Sequence, residues 1–309
     1  MTNTAADRPS KKERQNAARE KARVMREEAK KKARRRRMFT QGGIGLGIVV
    51  ILAVVAIVIV QVARPTSTAG PKNMLSDGIL LTSTTQYVAT GGVPNGGKPT
   101  PTKQSDDGKA HITLYEDLQC PICNEFETAN DAQIAQWLNA GTATVEIHPI
   151  SFLDSSSLGN RYSSRAASAI ACVAEYSPQD FWAVNQAFYK NQPAENTNGK
   201  TDAQIISTIK QGGVSSSTIS SCVKQERFKG WVQQSTSRAM SGKTPVPNSS
   251  IAKVTGTPTI IVNGQQYNAD GSQSLTDPSA FLSFVQSTVK GWTPGSSSST
   301  PSPTATPAG

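Results

Sequence analysis

The feature that most restricts this chain is Tyr115-Glu116-Asp117-Leu118-Gln119-Cys120-Pro121-Ile122-Cys123, where an apolar strand pattern runs straight into two cysteines two residues apart. A helical pattern begins at the second cysteine. Unpaired backbone amides and the helix dipole stabilise a thiolate at the first residues of a helix. Thiols of a Cys-x-x-Cys pair placed there have pKa values lowered to about 3.5–7.5. The spacing also lets the second sulfur attack a mixed disulfide formed by the first. Other uses of the pair fit less well. A zinc site needs about four ligands, yet Cys172 and Cys222 stand alone and the only histidines are His111 and His148. A purely structural bridge would close almost no loop and so restrain little of the unfolded chain. Haem attachment needs histidine after the second cysteine, where Asn124 stands.

The formal charge of +10 looks like a nucleic-acid signal until it is located. Residues 1–37 hold 15 Lys/Arg and 5 Asp/Glu, and the remaining chain holds 17 of each. Basicity is thus confined to one tail, whereas a nucleic-acid groove needs it spread over the fold, so no nucleic-acid partner is expected. Residues 1–37 offer no apolar face and are expected to be a disordered tail. Gly42 to Val60 is 19 residues without a polar side chain. As a helix it spans about 28 Å, close to the roughly 30 Å hydrocarbon core. A secretory signal has a shorter apolar run behind a short basic leader, although Ser67-Thr68-Ala69 resembles a cleavage site. The expectation is a single transmembrane helix within 38–63. Arg34–Arg37 would be held in the cytoplasm by the positive-inside rule, leaving the remainder extracytoplasmic at the cell membrane. A linker follows over 64–76.

Ile79-Leu80-Leu81 reads as an edge strand, and Gly91 to Lys109 as a long loop. His111 to Tyr115 and Thr144 to Ile150 read as strands. Phe126, Ile134 and Trp137 mark the helix between them, with a break expected near Asn130-Asp131 and a stop at Gly141. Strand, helix and strand make a βαβ unit. From about 155 to 249 the apolar spacing is helical and shows no cofactor-binding motif. Thr259-Ile260-Ile261-Val262, Asn263-Gly264 and Gln265-Gln266-Tyr267 form a hairpin signal, because both turn residues need positive φ. Asp277 caps and Pro278 opens a last helix. Residues 293–309 are Ser, Thr, Pro, Ala and Gly after Trp292-Thr293, a composition expected to be disordered. The class is α/β with a helical insertion.

Cys172 and Cys222 lie on two apolar helix faces. Outside the cytoplasm free thiols rarely persist, so a second bridge is the simplest account. Four cysteines allow three connectivities; 120–123 with 172–222 is preferred, the latter structural. A second redox pair is the alternative, though neither sulfur stands at a helix start.

The Tyr115–Cys123 segment with Phe126, together with Val254-Thr255-Gly256-Thr257-Pro258-Thr259 about 135 residues later, resembles the DsbA-like branch of the thioredoxin superfamily. The resemblance covers roughly 77–292 and implies a thioredoxin fold carrying the helical insertion. It implies Cys120 as exposed nucleophile, Cys123 as shielded resolving thiol, and a cis peptide at Thr257-Pro258 lining a wall where an extended substrate adds as a strand. It implies no cofactor. Partners would be secreted or membrane proteins with free thiols, the lipid bilayer, and a quinone-linked membrane reoxidase. The activity implied is protein thiol oxidation, with two alternatives: a reductase or isomerase, and a tethered peptide-binding chaperone with an inert disulfide. Two positions depart from relatives. Many carry a buried, proton-accepting acid six residues before the nucleophile, where Leu114 stands. By strand alternation only one of Glu116 and Asp117 shares a face with Leu114. Ile122 replaces the histidine of the strongest oxidants and has no hydrogen bond to give. His111 and His148 are read as strand residues with satisfied ring nitrogens.

Overall fold

A computed structural model describes residues 67–295 and ten positions between 20 and 32. Those ten are helical and exposed, with an Arg23–Glu20 pair at 3.4 Å. Gly42–Val60 and residues 296–309 of the tail lie outside the described residues, among which no helix is long and apolar enough to cross a membrane.

Strands β1 (Ile79–Leu81), β2 (Ala110–Glu116), β3 (Ala143–Pro149), β4 (Thr259–Val262) and β5 (Gln265–Gln266) form one sheet in the order β1-β3-β2-β4-β5. β2 and β3 pair in parallel and the other neighbours are antiparallel. Helix α1 (Pro121–Asn139) joins the parallel pair, the βαβ unit that the spacing predicts. Parallel strands need such a crossover, because a tight turn cannot reverse the chain twice. Both central strands are buried almost throughout. Ile112 and Leu114 join Phe126, Trp137, Phe281 and Val285 in the larger core. Tyr115, Ile150, Val246, Val254 and Ile261 form a second cluster.

α1 runs without the expected break at Asn130-Asp131. The Asn130 amide donates to the Phe126 carbonyl at 2.9 Å and to the Leu275 carbonyl at 3.0 Å, so this polar residue is accommodated inside the helix. The insertion is five helices: α2 (Tyr162–Tyr176), α3 (Phe181–Lys190), α4 (Asp202–Gln211), α5 (Ser217–Lys224) and α6 (Lys229–Ser241). Local signals set their starts. Thr201 and Gln204 make a reciprocal capping box before α4, and Ser216 caps α5. Cys172 on α2 and Cys222 on α5 are joined by a disulfide of 2.04 Å.

At the β4–β5 turn Asn263 and Gly264 take φ of 43° and 88°, the left-handed pair such a turn demands. Asp277 caps helix α7 (Pro278–Thr288), whose Phe281 meets Phe126 edge-on at 5.2 Å and Tyr267 at 5.1 Å. Such contacts contribute about 1 kcal/mol each beyond area burial. They fix α7 against α1, and hence the direction in which α1 presents its first turn.

Candidate active site

Two register choices assemble the site. β2 ends at Glu116, and the chain turns through Asp117 so that Cys120 becomes the N-cap of α1. Opposite β2, Tyr115 pairs with Thr259, which carries Thr257-Pro258 past the strand end toward that turn. The Thr257-Pro258 peptide is cis. The Cys120 sulfur donates to the Thr257 carbonyl at 3.2 Å and accepts from the Cys123 amide at 3.4 Å.

Both thiols are free, so the structure holds the reduced pair. Cys120 is 4% exposed rather than open to solvent as expected, since the Thr257 loop closes over its sulfur. Its neighbours Pro121 and Ile122 are exposed. Cys123 is 1% exposed, one helical turn further in. The two sulfurs titrate apart. The Cys120 thiol is lowered to about 7, first by hydrogen bonding from Cys123, then by the Thr257 side chain and the Cys123 amide, against opposing burial. Burial pushes Cys123 well up, with the Cys120 sulfur and Glu116 adding to it. A thiolate is the nucleophile, so this arrangement makes Cys120 the attacking sulfur and holds Cys123 protonated. Alkylation of the reduced protein by iodoacetamide should therefore rise with pH through a midpoint near 7, not near the ordinary value of 9.0. A midpoint near 9 by stopped-flow or mass spectrometry would refute the assignment.

The turn is tied down from several sides. Asp117, fully buried, accepts from the Gln119 amide and the Leu153 amide, each at 2.8 Å. Burial raises its carboxyl to about 6, partly offset by those amides. Gln192, just beyond α3, donates to the Cys120 carbonyl at 2.9 Å and the Leu118 carbonyl at 3.2 Å. Asn124 donates to the Tyr189 carbonyl at 3.2 Å. The insertion thus holds both the N-cap residue and the first turn of α1. No signal in the sequence marks Gln192, because its role depends on where α3 ends in space.

Leu114 packs into the apolar core, so the position occupied by an acid in relatives is apolar here. Two residues on, Glu116 projects to the same face and is 2% exposed. Beside it lies Glu127, also 2% exposed, on the turn of α1 after Cys123. Burial raises both carboxyls, and the Glu127 charge raises Glu116 further. Gln186 of α3 donates to Glu127 at 2.8 Å. Glu127 was legible as a charged residue in the buried stripe of Cys123, Phe126, Asn130 and Ile134, but that stripe reads first as packing.

The two histidines stand elsewhere. Both ring nitrogens of His111 have partners: Thr144 at 2.9 Å, with the Ser105 carbonyl and Asp107 at 3.0 and 3.1 Å. His148 departs from expectation. Its Nε2 lies 3.6 Å from Glu146, but its buried Nδ1 has no partner. The ring is stacked on Tyr115 at 4.4 Å, and that packing decides its orientation. Among the described residues no group of three or more His, Cys, Asp or Glu is placed to hold a metal.

A nucleophilic sulfur at a helix start, a shielded partner one turn below and a cis-proline loop across from both define a thioredoxin-type exchange site. A family model described as thioredoxin matches residues 105–283, more than half of the chain. The chain belongs to the thioredoxin family and, within it, to the DsbA-like thiol–disulfide oxidoreductases. It is similar to DsbA of Mycobacterium tuberculosis in its reduced crystal form, with 26% identity, a TM-score of 0.50, and coverage of 71% of this chain and 95% of that one. It is also similar to the reduced disulfide bond oxidoreductase DsbG of the same organism, at 25% identity and TM-score 0.50, covering 70% of this chain and 89% of that one. A further likeness is to the serine/threonine-protein kinase PknE of M. tuberculosis, 28% identical over 132 residues. That match takes in 41% of this chain and 23% of the kinase, so the chain spans less than a quarter of that curated relative.

Proposed function

We propose that this protein is a membrane-tethered, extracytoplasmic disulfide oxidoreductase that oxidises thiols of secreted or membrane proteins through Cys120 and Cys123. The observation that carries the exchange part of this reading is the split between the two thiols: Cys120 lowered to about 7, first by hydrogen bonding from Cys123, and Cys123 pushed well above its ordinary value by burial. In the oxidising direction a substrate thiolate attacks the Cys120 sulfur of the disulfide. A Cys120–substrate bond forms, and Cys123 leaves as a thiolate that takes a proton. A second substrate thiolate then attacks the substrate sulfur and releases Cys120, whose thiolate is stabilised by the Cys123 thiol. The backbone at Thr257 is the wall along which an extended substrate adds as a strand.

Gly42–Val60 crosses the bilayer in this reading, with Arg34–Arg37 on the cytoplasmic side. The apolar run and its basic flank support it. A membrane reoxidase of quinone-linked type, implied by the resemblance to the DsbA-like branch, restores the disulfide.

One observation favours a second reading, that of a reductase or isomerase. A strong oxidant stabilises its reduced thiolate greatly. DsbA itself has a nucleophile near 3.5, while thioredoxin is near 7. Cys120 at about 7 falls on the thioredoxin side, and Ile122 adds no donor. The reduction potential of the Cys120–Cys123 couple, measured against a glutathione buffer, decides between them. The oxidase reading expects a value toward about −120 mV; one near about −270 mV overturns it in favour of reduction.

A further inference from the structure

The exchange chemistry leaves a question of protons. In the oxidising direction Cys123 leaves as a thiolate and must gain a proton. In the reverse direction Cys123 loses a proton as its sulfur displaces the substrate thiolate and the Cys120–Cys123 bond forms, and the substrate sulfur is protonated from solvent. Cys123 is 1% exposed, so the proton has to travel through the protein.

The structure lays out carboxyls in a line. Cys123, Glu127 and Asp131 stand at i, i+4 and i+8 on one face of α1, so they lie one above another on successive turns. Glu116 closes the gap from the end of β2, beside both Cys123 and Glu127. Glu116 and Glu127 are 2% exposed, whereas Asp131 is partly open to solvent. Each of the three carboxyls keeps one buried oxygen without a hydrogen-bond partner: Glu116 Oε1, Glu127 Oε1 and Asp131 Oδ1. Buried polar groups are nearly always paired, so three in a row need a reason. The wall from α3 repeats the pattern. Asn185 is fully buried, and its side chain and the Tyr189 hydroxyl have no partner other than Glu116, toward which both are set for hydrogen bonding. Unsatisfied groups of this kind are suited to holding a proton in more than one place. The other charges acting around the line are Asp117, which acts on Cys120 and Tyr189, and Lys190, at the end of α3, which acts on Asp131.

We propose that Asp131 is the surface port of a proton route running from the Cys123 thiol through the Glu116–Glu127 carboxyl pair to solvent. The proposal rests on the exchange reading for its purpose but not for its test. Burial raises the Asp131 carboxyl and Lys190 opposes it. Asp131 is a positioning and relay residue and touches no substrate.

The test uses the full-length chain carrying Cys120→Ser, so that Cys123 is the only free thiol. A stopped-flow pH jump, followed by thiolate ultraviolet absorbance, reads how fast Cys123 reaches its new protonation state. Asp131→Asn should slow that relaxation about tenfold or more in weak buffer. Concentrated imidazole buffer should restore the rate, and Asp131→Glu should keep it. An unchanged rate in Asp131→Asn overturns the port. Equal slowing in weak and strong buffer overturns it too, because a structural disturbance is blind to buffer. If the Asp131 effect holds in the Cys120→Ser background but the native chain, with both cysteines, exchanges no disulfide with glutathione, the exchange reading falls and the port stands.

Discussion

Cys120→Ser abolishes disulfide exchange, and Cys123→Ser turns the protein into a covalent trap: this is the largest effect expected of any substitution here. The asymmetry of the two sulfurs is the reason. Cys120 is the lowered thiol, so removing it takes away the atom that bonds to substrate. In the reducing direction Cys123 is the buried thiol that attacks the mixed disulfide from one turn in, so its loss leaves any disulfide that Cys120 forms with a substrate without an internal attacker. Complexes that run as adducts on non-reducing gels and collapse with reductant should appear for Cys123→Ser alone. Intact activity in Cys120→Ser would instead point to a peptide-binding chaperone using the Thr257-Pro258 wall. Absence of adducts in cells producing Cys123→Ser would count against exchange in either direction.

Removing the second bridge should have the largest effect on stability. Cys172 and Cys222 are 50 residues apart, and both are buried. Restraining a loop of that length in the unfolded chain stabilises the fold by about 4 kcal/mol on the chain-entropy account. That is a large share of a total stability of about 5–15 kcal/mol. The double variant Cys172→Ala/Cys222→Ala should lose about 4 kcal/mol in urea unfolding followed by circular dichroism. It should keep its Cys120 alkylation profile at temperatures where it is folded, because neither sulfur reaches the exchange site. A loss under about 1 kcal/mol would show that α2 and α5 are held by packing and that the bridge is incidental. A changed alkylation profile in the folded variant would instead argue for a second redox pair.

Much of this fold was legible because its signals are local. The strand before Cys120, the helix after it, the Asn263-Gly264 turn and the Asp277-Pro278 start all depend on a few neighbouring residues. Backbone preference and apolar period act over such distances, so they can be read without knowing the rest of the chain. The pairing of Cys172 with Cys222 was also within reach, since exclusion left few partners. The break expected in α1 fails for the opposite reason: Asn130 is satisfied by the Leu275 carbonyl, 145 residues away.

By itself, then, the sequence determined the strand, the two cysteines at a helix start, the helical insertion and the hairpin behind Thr257-Pro258. Tertiary structure alone decided what those parts meet. It closed the Thr257 carbonyl over Cys120, 137 residues distant in the chain, and so buried a thiol expected to be open. It chose Glu116 over Asp117 to stand beside Cys123 and set Glu127 against it, leaving Asp117 to tie the turn. The physical reason is the same in each case. Helix and strand formation follow from bonds within a segment, whereas burial, and the thiol and carboxyl shifts it brings, come from atoms packed around a group by segments far along the chain.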